Sequence, residues 1–129
     1  MRTLFDRIGG LASTRALADE FYNVMESDAK AKSILEIHPS NLYMSRLKLY
    51  KFLTQWFGGP ALFGEQYVNA KWLALKHRRF NLTKDEKDQW LHCMDTAMDN
   101  LKFAAAEKQE AMQRYIGMIE CMQKLKTQH

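Results

Sequence analysis

Cysteine occurs twice, at Cys93 and Cys121, and proline twice, at Pro39 and Pro60, in a chain of 129 residues. Two thiols are too few for a disulfide-stapled scaffold. Both fall on apolar helical stripes, so buried free thiols are the expectation. Two prolines and six glycines leave long stretches without a breaker, which favours helices. Alternation of apolar and polar residues at a period of two, the mark of a half-buried strand, is missing throughout. No apolar run approaches the roughly 18 residues needed to cross a bilayer. The opening "MRTLFDRIGG" carries charge along its length, so no secretory leader is expected and the location is read as cytoplasmic, without membrane attachment. The glycosylation-type triplet "NLT" at Asn81 is discounted on the same ground.

What is present describes one globular domain, residues 1–129, large enough to bury a core. Hydrophobic residues make up 47% and charged residues 26%, which excludes a disordered chain, and eight methionines supply adaptable apolar filling. The formal net charge is +4, but both signs are interleaved, as in "TKDEKDQ" and "AAAEKQEAMQR". Such stretches read as solvated helix faces. A nucleic-acid binder usually gathers its basic residues on one surface.

Local signals predict a single all-α domain of about six or seven helices. Thr3, with Asp6 after it, caps a short first helix that Gly9-Gly10 ends. Ser13 is expected to cap the next, where Leu17, Phe21, Val24 and Met25 form one stripe with Tyr22 on its edge. Asp28 suits the start of a short helix carrying Ile34 and Leu35, and "HPSN" breaks it. In "LYMSRLKLYKFLTQWF", Ser45, Leu49, Phe52 and Trp56 share a face, and Gly58-Gly59-Pro60 stops the helix. A further apolar helix is expected over roughly Glu65 to His77, with Ala70, Leu73, Ala74 and His77 along one side. "TKDE" at Thr83 is a capping box for a helix with Trp90, Met94, Ala97, Met98 and Leu101 at helical spacing. The last helix carries Met112, Tyr115, Ile119 and Met122.

One stretch poses a chemical question. In "KWLALKHRRF", His77 ends an apolar run and meets Lys76, Arg78 and Arg79. Zinc requires three or four protein ligands, and no second histidine or cysteine stands at ligand spacing. Taken alone, His77 reads either as a capping or core histidine, or as a single anchor for a metal whose remaining ligands come from a cofactor.

The segments "RIGG", "FY", "FLTQWFGGP", "KHRRF" and "WLHCM" follow one another in the order and spacing of group II truncated haemoglobins, and the chain resembles that family over nearly its whole length. The resemblance implies a shortened globin fold, a two-over-two helical sandwich around haem. It makes His77 the proximal ligand to the haem iron, a role that suits a neutral imidazole. The haem is expected to be haem b, held noncovalently, since no C-x-x-C-H attachment motif occurs. On the distal side the resemblance places Tyr22, Trp90 and Ser45, the last where ordinary globins carry histidine. His38 stands where the family often has tyrosine or phenylalanine. A phenol O–H, an indole N–H and an imidazole N–H are all donors able to hold a ligand that takes on negative charge. Leu49, Phe52 and Phe80 are expected as apolar walls. Lys48, Lys76, Arg78 and Arg79 are candidates for pairing with the haem carboxylates, with Trp56 bordering the same edge. Read without the resemblance, the same residues are core packing, a loop histidine and a solvated basic patch. The chain departs from the family in "YVNAKWLALKH", one residue longer than the usual approach to the proximal helix, and at His38.

The functional expectation is reversible binding of dioxygen, nitric oxide or similar small ligands, with scavenging or redox work of the nitric oxide dioxygenase or peroxidase-like kind favoured over bulk transport. An unidentified reductase would serve such turnover. A monomer or weak dimer is expected, without nucleic acid. The competing reading is a noncatalytic helical module that takes an acidic partner or nucleic acid through "KHRR", a binding that salt would weaken. A haem-based sensor acting through a separate partner is a third.

Overall fold

The computed structural model describes residues 2–62 and 83–127, with side chains as far as residue 120. Six α-helices run through these residues: α1 (Leu4–Ile8), α2 (Leu11–Ser27), α3 (Lys32–Glu36), α4 (Tyr43–Trp56), α5 (Lys84–Asn100) and α6 (Ala105–Thr127). A single 3-10 turn, Ala29–Ala31, leads into α3. The described residues contain no strand. The apolar helix expected over Glu65 to His77 lies outside them. So do the proposed contacts of Lys76, His77, Arg78, Arg79 and Phe80.

Helix starts follow the local chemistry. Thr3 and Asp6 form a reciprocal capping box on α1, and Thr83 and Glu86 form another on α5. Asp28 accepts from the Lys30 N–H and so caps the 3-10 turn rather than an α-helix. Ser13 corrects the sequence reading: α2 begins at Leu11 behind Gly10, and the Ser13 hydroxyl bonds back to the Ile8 carbonyl. A serine two residues inside a helix start still finds a free carbonyl, because the preceding helix has just ended there.

Three helix ends share one device. After α4, the Gly59 N–H reaches the Thr54 carbonyl (2.8 Å) and the Gly58 N–H the Gln55 carbonyl (3.2 Å), with Gly58 at φ +98°. This is the Schellman pattern, which satisfies carbonyls that the helix leaves open. The Gly9-Gly10 pair does the same for α1. After α5, the pattern recurs with Lys102 at φ +60° in the left-handed position.

Packing places the helices in two layers. α2 lies against both α4 and α5, and α5 lies against α6. The core between them holds Leu17, Phe21 and Met25 of α2, Leu53 of α4, Phe57 just after it, Met94 and Met98 of α5, and Tyr115 of α6. A buried pair of hydroxyls, Thr14 and Thr54 at 2.8 Å, ties α2 to α4. α1 is fastened to the end of α4 by the Phe5 N–H to Phe57 carbonyl bond (2.9 Å).

Candidate ligand pocket

Tyr22 is the centre of the arrangement. It lies on the α2 stripe and is 7% exposed. Its ring meets Phe21 edge-on at 5.0 Å and His38 edge-on at 5.6 Å. The Ser45 side chain from α4 acts on its hydroxyl, against the effect of burial. Burial is the main influence on the phenol and pushes its pKa up to about 12, against the opposing pull of the Arg46 charge and the Ser45 side chain. The phenol therefore keeps its proton at neutral pH and is available as a donor.

His38 reaches Tyr22 because α5 holds the segment around α3. Gln89 accepts from the Ile34 N–H through Oε1 (3.0 Å), and His92 Nε2 lies 2.7 Å from Asp28 Oδ2. The Asp28 carboxyl is held below its usual range, chiefly by the His92 bond and then by the Lys30 backbone. His38 Nδ1 lies 2.7 Å from the Ile34 carbonyl. A carbonyl can only accept, so the proton sits on Nδ1. In the neutral ring Nε2 is then bare. The imidazole N–H that the sequence seemed to offer to a ligand is already used locally, and the free nitrogen presents a lone pair.

Aromatic and apolar neighbours come from α4, α5 and α6. Phe52 is buried and stacks on Trp56 at 5.5 Å, while Leu49 packs half-buried against the same core. Trp90 is half-buried and sits 5.1 Å from Phe21 on one side and 5.1 Å from Tyr115 on the other. His38 and Ser45 thus each approach Tyr22, and Trp90 joins it through Phe21. Lys48 is exposed and has no ion pair among the described residues.

Two buried polar atoms lack a hydrogen-bond partner among the described residues: Trp56 Nε1 and the Tyr115 hydroxyl. An unsatisfied buried donor costs about 1–3 kcal/mol. Such atoms suit an interior that receives the polar groups of a bound molecule, and Trp56 stands on the helix face that carries Ser45, Leu49 and Phe52. Burial holds the Tyr115 phenol well above its ordinary range. Among the described residues no three histidine, cysteine, aspartate or glutamate side chains gather as a metal site.

Sequence reasoning overlooked Arg46, Gln89 and His92, and read Tyr115 as core alone. No periodic signal marks Arg46 or Gln89, and "WLHCM" contains His92 without showing its partner, because the partners of all three are distant in the chain. The polar end of Tyr115 was visible in its residue type, since a tyrosine on a fully apolar stripe carries a hydroxyl into the core.

Comparison with known proteins agrees with this architecture. The profile of the bacterial-like globin family matches residues 3–124. A group 2 truncated haemoglobin of Bacillus subtilis (strain 168) is 38% identical over 85 residues, 66% of this chain and 61% of that protein. The chain spans less than two thirds of the length of the curated relatives it matches. Among solved structures, the cold-adapted truncated haemoglobin of the Antarctic marine bacterium Pseudoalteromonas haloplanktis TAC125 superposes with a TM-score of 0.86 at 30% identity, covering 94% of this chain and 97% of that one. The truncated oxygen-avid haemoglobin of Bacillus subtilis superposes with a TM-score of 0.77 at 29% identity, covering 93% and 98%. No described helix is long and apolar enough to cross a membrane. With the family profile spanning nearly all of its length and helices layered as in these structures, the chain belongs to the bacterial-like globin family and is a group II truncated haemoglobin.

Proposed function

We propose that the protein binds haem b noncovalently and holds dioxygen, nitric oxide or a similar small ligand reversibly on the side of the pocket that carries Tyr22. The observation that carries this reading is the buried Tyr22 phenol of α2, met edge-on by the His38 ring from the segment after α3 and influenced by Ser45 of α4, beside the Phe21 ring. The oxygen-avid relative from Bacillus subtilis supports it.

When bound, haem supplies an iron able to take up small diatomic molecules. His77 is the residue assigned to hold that iron, on the strength of "KHRRF". The chain's own groups do the rest. Tyr22 would donate a hydrogen bond through its phenolic O–H to a ligand that carries partial negative charge. Trp90 adds an indole N–H from α5. In its neutral form His38 would offer Nε2, on a ring that meets Tyr22, to a proton or a metal. Leu49 and Phe52 exclude water, as Phe80 would on the resemblance, and the low dielectric strengthens the remaining hydrogen bonds. Trp56 Nε1 is a buried donor suited to a haem carboxylate, and Lys48, Lys76 and Arg79 are the candidate cations.

A pocket with several donors retains its ligand. The proposal therefore favours scavenging or redox turnover, such as nitric oxide oxidation or peroxide chemistry with a reductase returning electrons, over bulk oxygen delivery. The test is expression with haem available. A strong Soret band that is lost or weakened in His77→Ala is expected, together with slow dioxygen release that Tyr22→Phe accelerates by roughly tenfold to a hundredfold. A helical but colourless product would overturn haem binding and favour the noncatalytic module. Rapid release from the wild type would overturn the scavenging preference alone.

A further inference from the structure

We propose that Arg46 is a positioning residue for Tyr22, clamped by α2 so that its guanidinium lies over the phenol ring and fixes the donor inside the pocket. The inference rests on reading the pocket as a ligand site. It concerns a residue that no motif in the chain marks out.

The clamp is built from three residues of one helix face. Asp19, Tyr22 and Glu26 stand at helical steps of three and four along α2. Arg46 Nη1 donates to the Asp19 carbonyl at 2.8 Å and lies 3.7 Å from the Asp19 carboxylate. Arg46 Nη2 donates to Glu26 Oε1 at 2.6 Å. Between these two anchors the guanidinium carbon sits 5.9 Å from the centre of the Tyr22 ring. That is within the distance at which a cation is attracted to an aromatic face.

Arg46 follows Ser45 directly in the first turn of α4. Two consecutive residues of one helix therefore act on one side chain. Ser45 influences the hydroxyl, and Arg46 covers the ring. Lysine would place a point charge where arginine places a planar fork, and it could not reach the Asp19 carbonyl and Glu26 together. With the ring pinned from above, the phenol cannot swing away from the ligand side. The nearby positive charge opposes, without reversing, the upward shift that burial gives the phenol.

A merely structural Arg46 would behave as an ordinary surface ion pair, because its carboxylate partners are themselves substantially exposed. A thermodynamic cycle separates the two roles. In haem-loaded protein, Arg46→Gln is expected to speed dioxygen release by about three- to tenfold. In the Tyr22→Phe background it is expected to change release by less than about twofold, because the group that Arg46 positions is gone. Arg46→Lys is expected to restore part of the effect. Equal acceleration in both backgrounds, or no acceleration in either, would overturn the proposal.

A second readout needs no haem. In haem-free protein, nitration of Tyr22 by tetranitromethane, located by peptide mass spectrometry, is expected to be slow in the wild type. Corrected for the phenolate fraction found by ultraviolet titration of each variant, it should be several times faster in Arg46→Gln while the urea midpoint stays close to that of the wild type. Unchanged protection of Tyr22 would overturn the clamp even if haem binding holds. Absence of haem binding would overturn the functional reading and leave the clamp to be decided by nitration.

Discussion

Cys93 and Tyr22 hold their protons further into the alkaline range than free side chains do. Burial pushes the Cys93 thiol up to about 11 and the Tyr22 phenol up to about 12. The consequence for stability has a definite sign. Above about pH 8.5 an unfolded chain releases the thiol proton, and above about pH 10 the phenol proton, while the folded protein still retains both. The unfolded state then binds fewer protons, so stability falls as pH rises. This contribution is fully present below about pH 8.5 and is lost as pH climbs toward the folded values. Urea melts taken from pH 8 to 11 are expected to show falling midpoints, and Cys93→Ala should flatten the lower part of that fall. A midpoint that stays level across the range would show that the two groups ionise alike in both states. At the same scale, residue type marked Tyr22 and Ser45 as polar groups on apolar helix faces. Tyr22 could be named from "FY" and Ser45 from its place on the helix face shared with Leu49, Phe52 and Trp56, but their approach to each other could not, because it depends on how α2 and α4 lie together.

The helices were legible where the signal is local. The capping boxes at Thr3 and Thr83, and the glycine pairs after α1 and α4, are read from residues within one turn of each other. Lys102 was not legible. It takes the left-handed position after α5 that glycine fills elsewhere, at φ +60°. A side chain with a Cβ is strained there, and glycine is not. Lys102→Gly is accordingly expected to stabilise the protein by about 0.5–1 kcal/mol, measured as a higher urea midpoint with unchanged slope. The tie between α2 and α4 gives a second test. Thr14 and Thr54 are both 0% exposed, and their hydroxyls face each other. Thr54→Val should cost about 1–3 kcal/mol, because the Thr14 hydroxyl loses a buried partner while keeping a 3.2 Å contact with the Leu11 carbonyl. Adding Thr14→Val should recover much of that loss, since removing both polar groups removes the mismatch. Additive losses in the double variant would show that packing, and not the hydroxyl pair, sets the cost.

For the molecule as a whole, a cofactor that binds only the folded chain adds to its stability by mass action. At a free haem concentration about 1,000 times the dissociation constant, the gain is about 4 kcal/mol. Haem removal is therefore expected to lower the melting temperature by roughly ten degrees or more, and readdition should restore it in proportion to concentration. A melting temperature indifferent to haem would count against the proposed cofactor. The chain order of amino acids by itself determined the all-helical class, most helix limits, the buried stripes and, through five motifs in register, the globin family. These follow from contacts within a few residues or from a pattern spread along the whole chain. Only the tertiary structure decided which polar atoms meet. It set Gln89 and His92 against the α3 region across 55 and 64 residues, spent the His38 Nδ1 proton on a local carbonyl, and laid Arg46 over Tyr22. Helical periodicity states which face of a helix is apolar. The rotation and offset of one helix against the next settle which side chains on those faces touch.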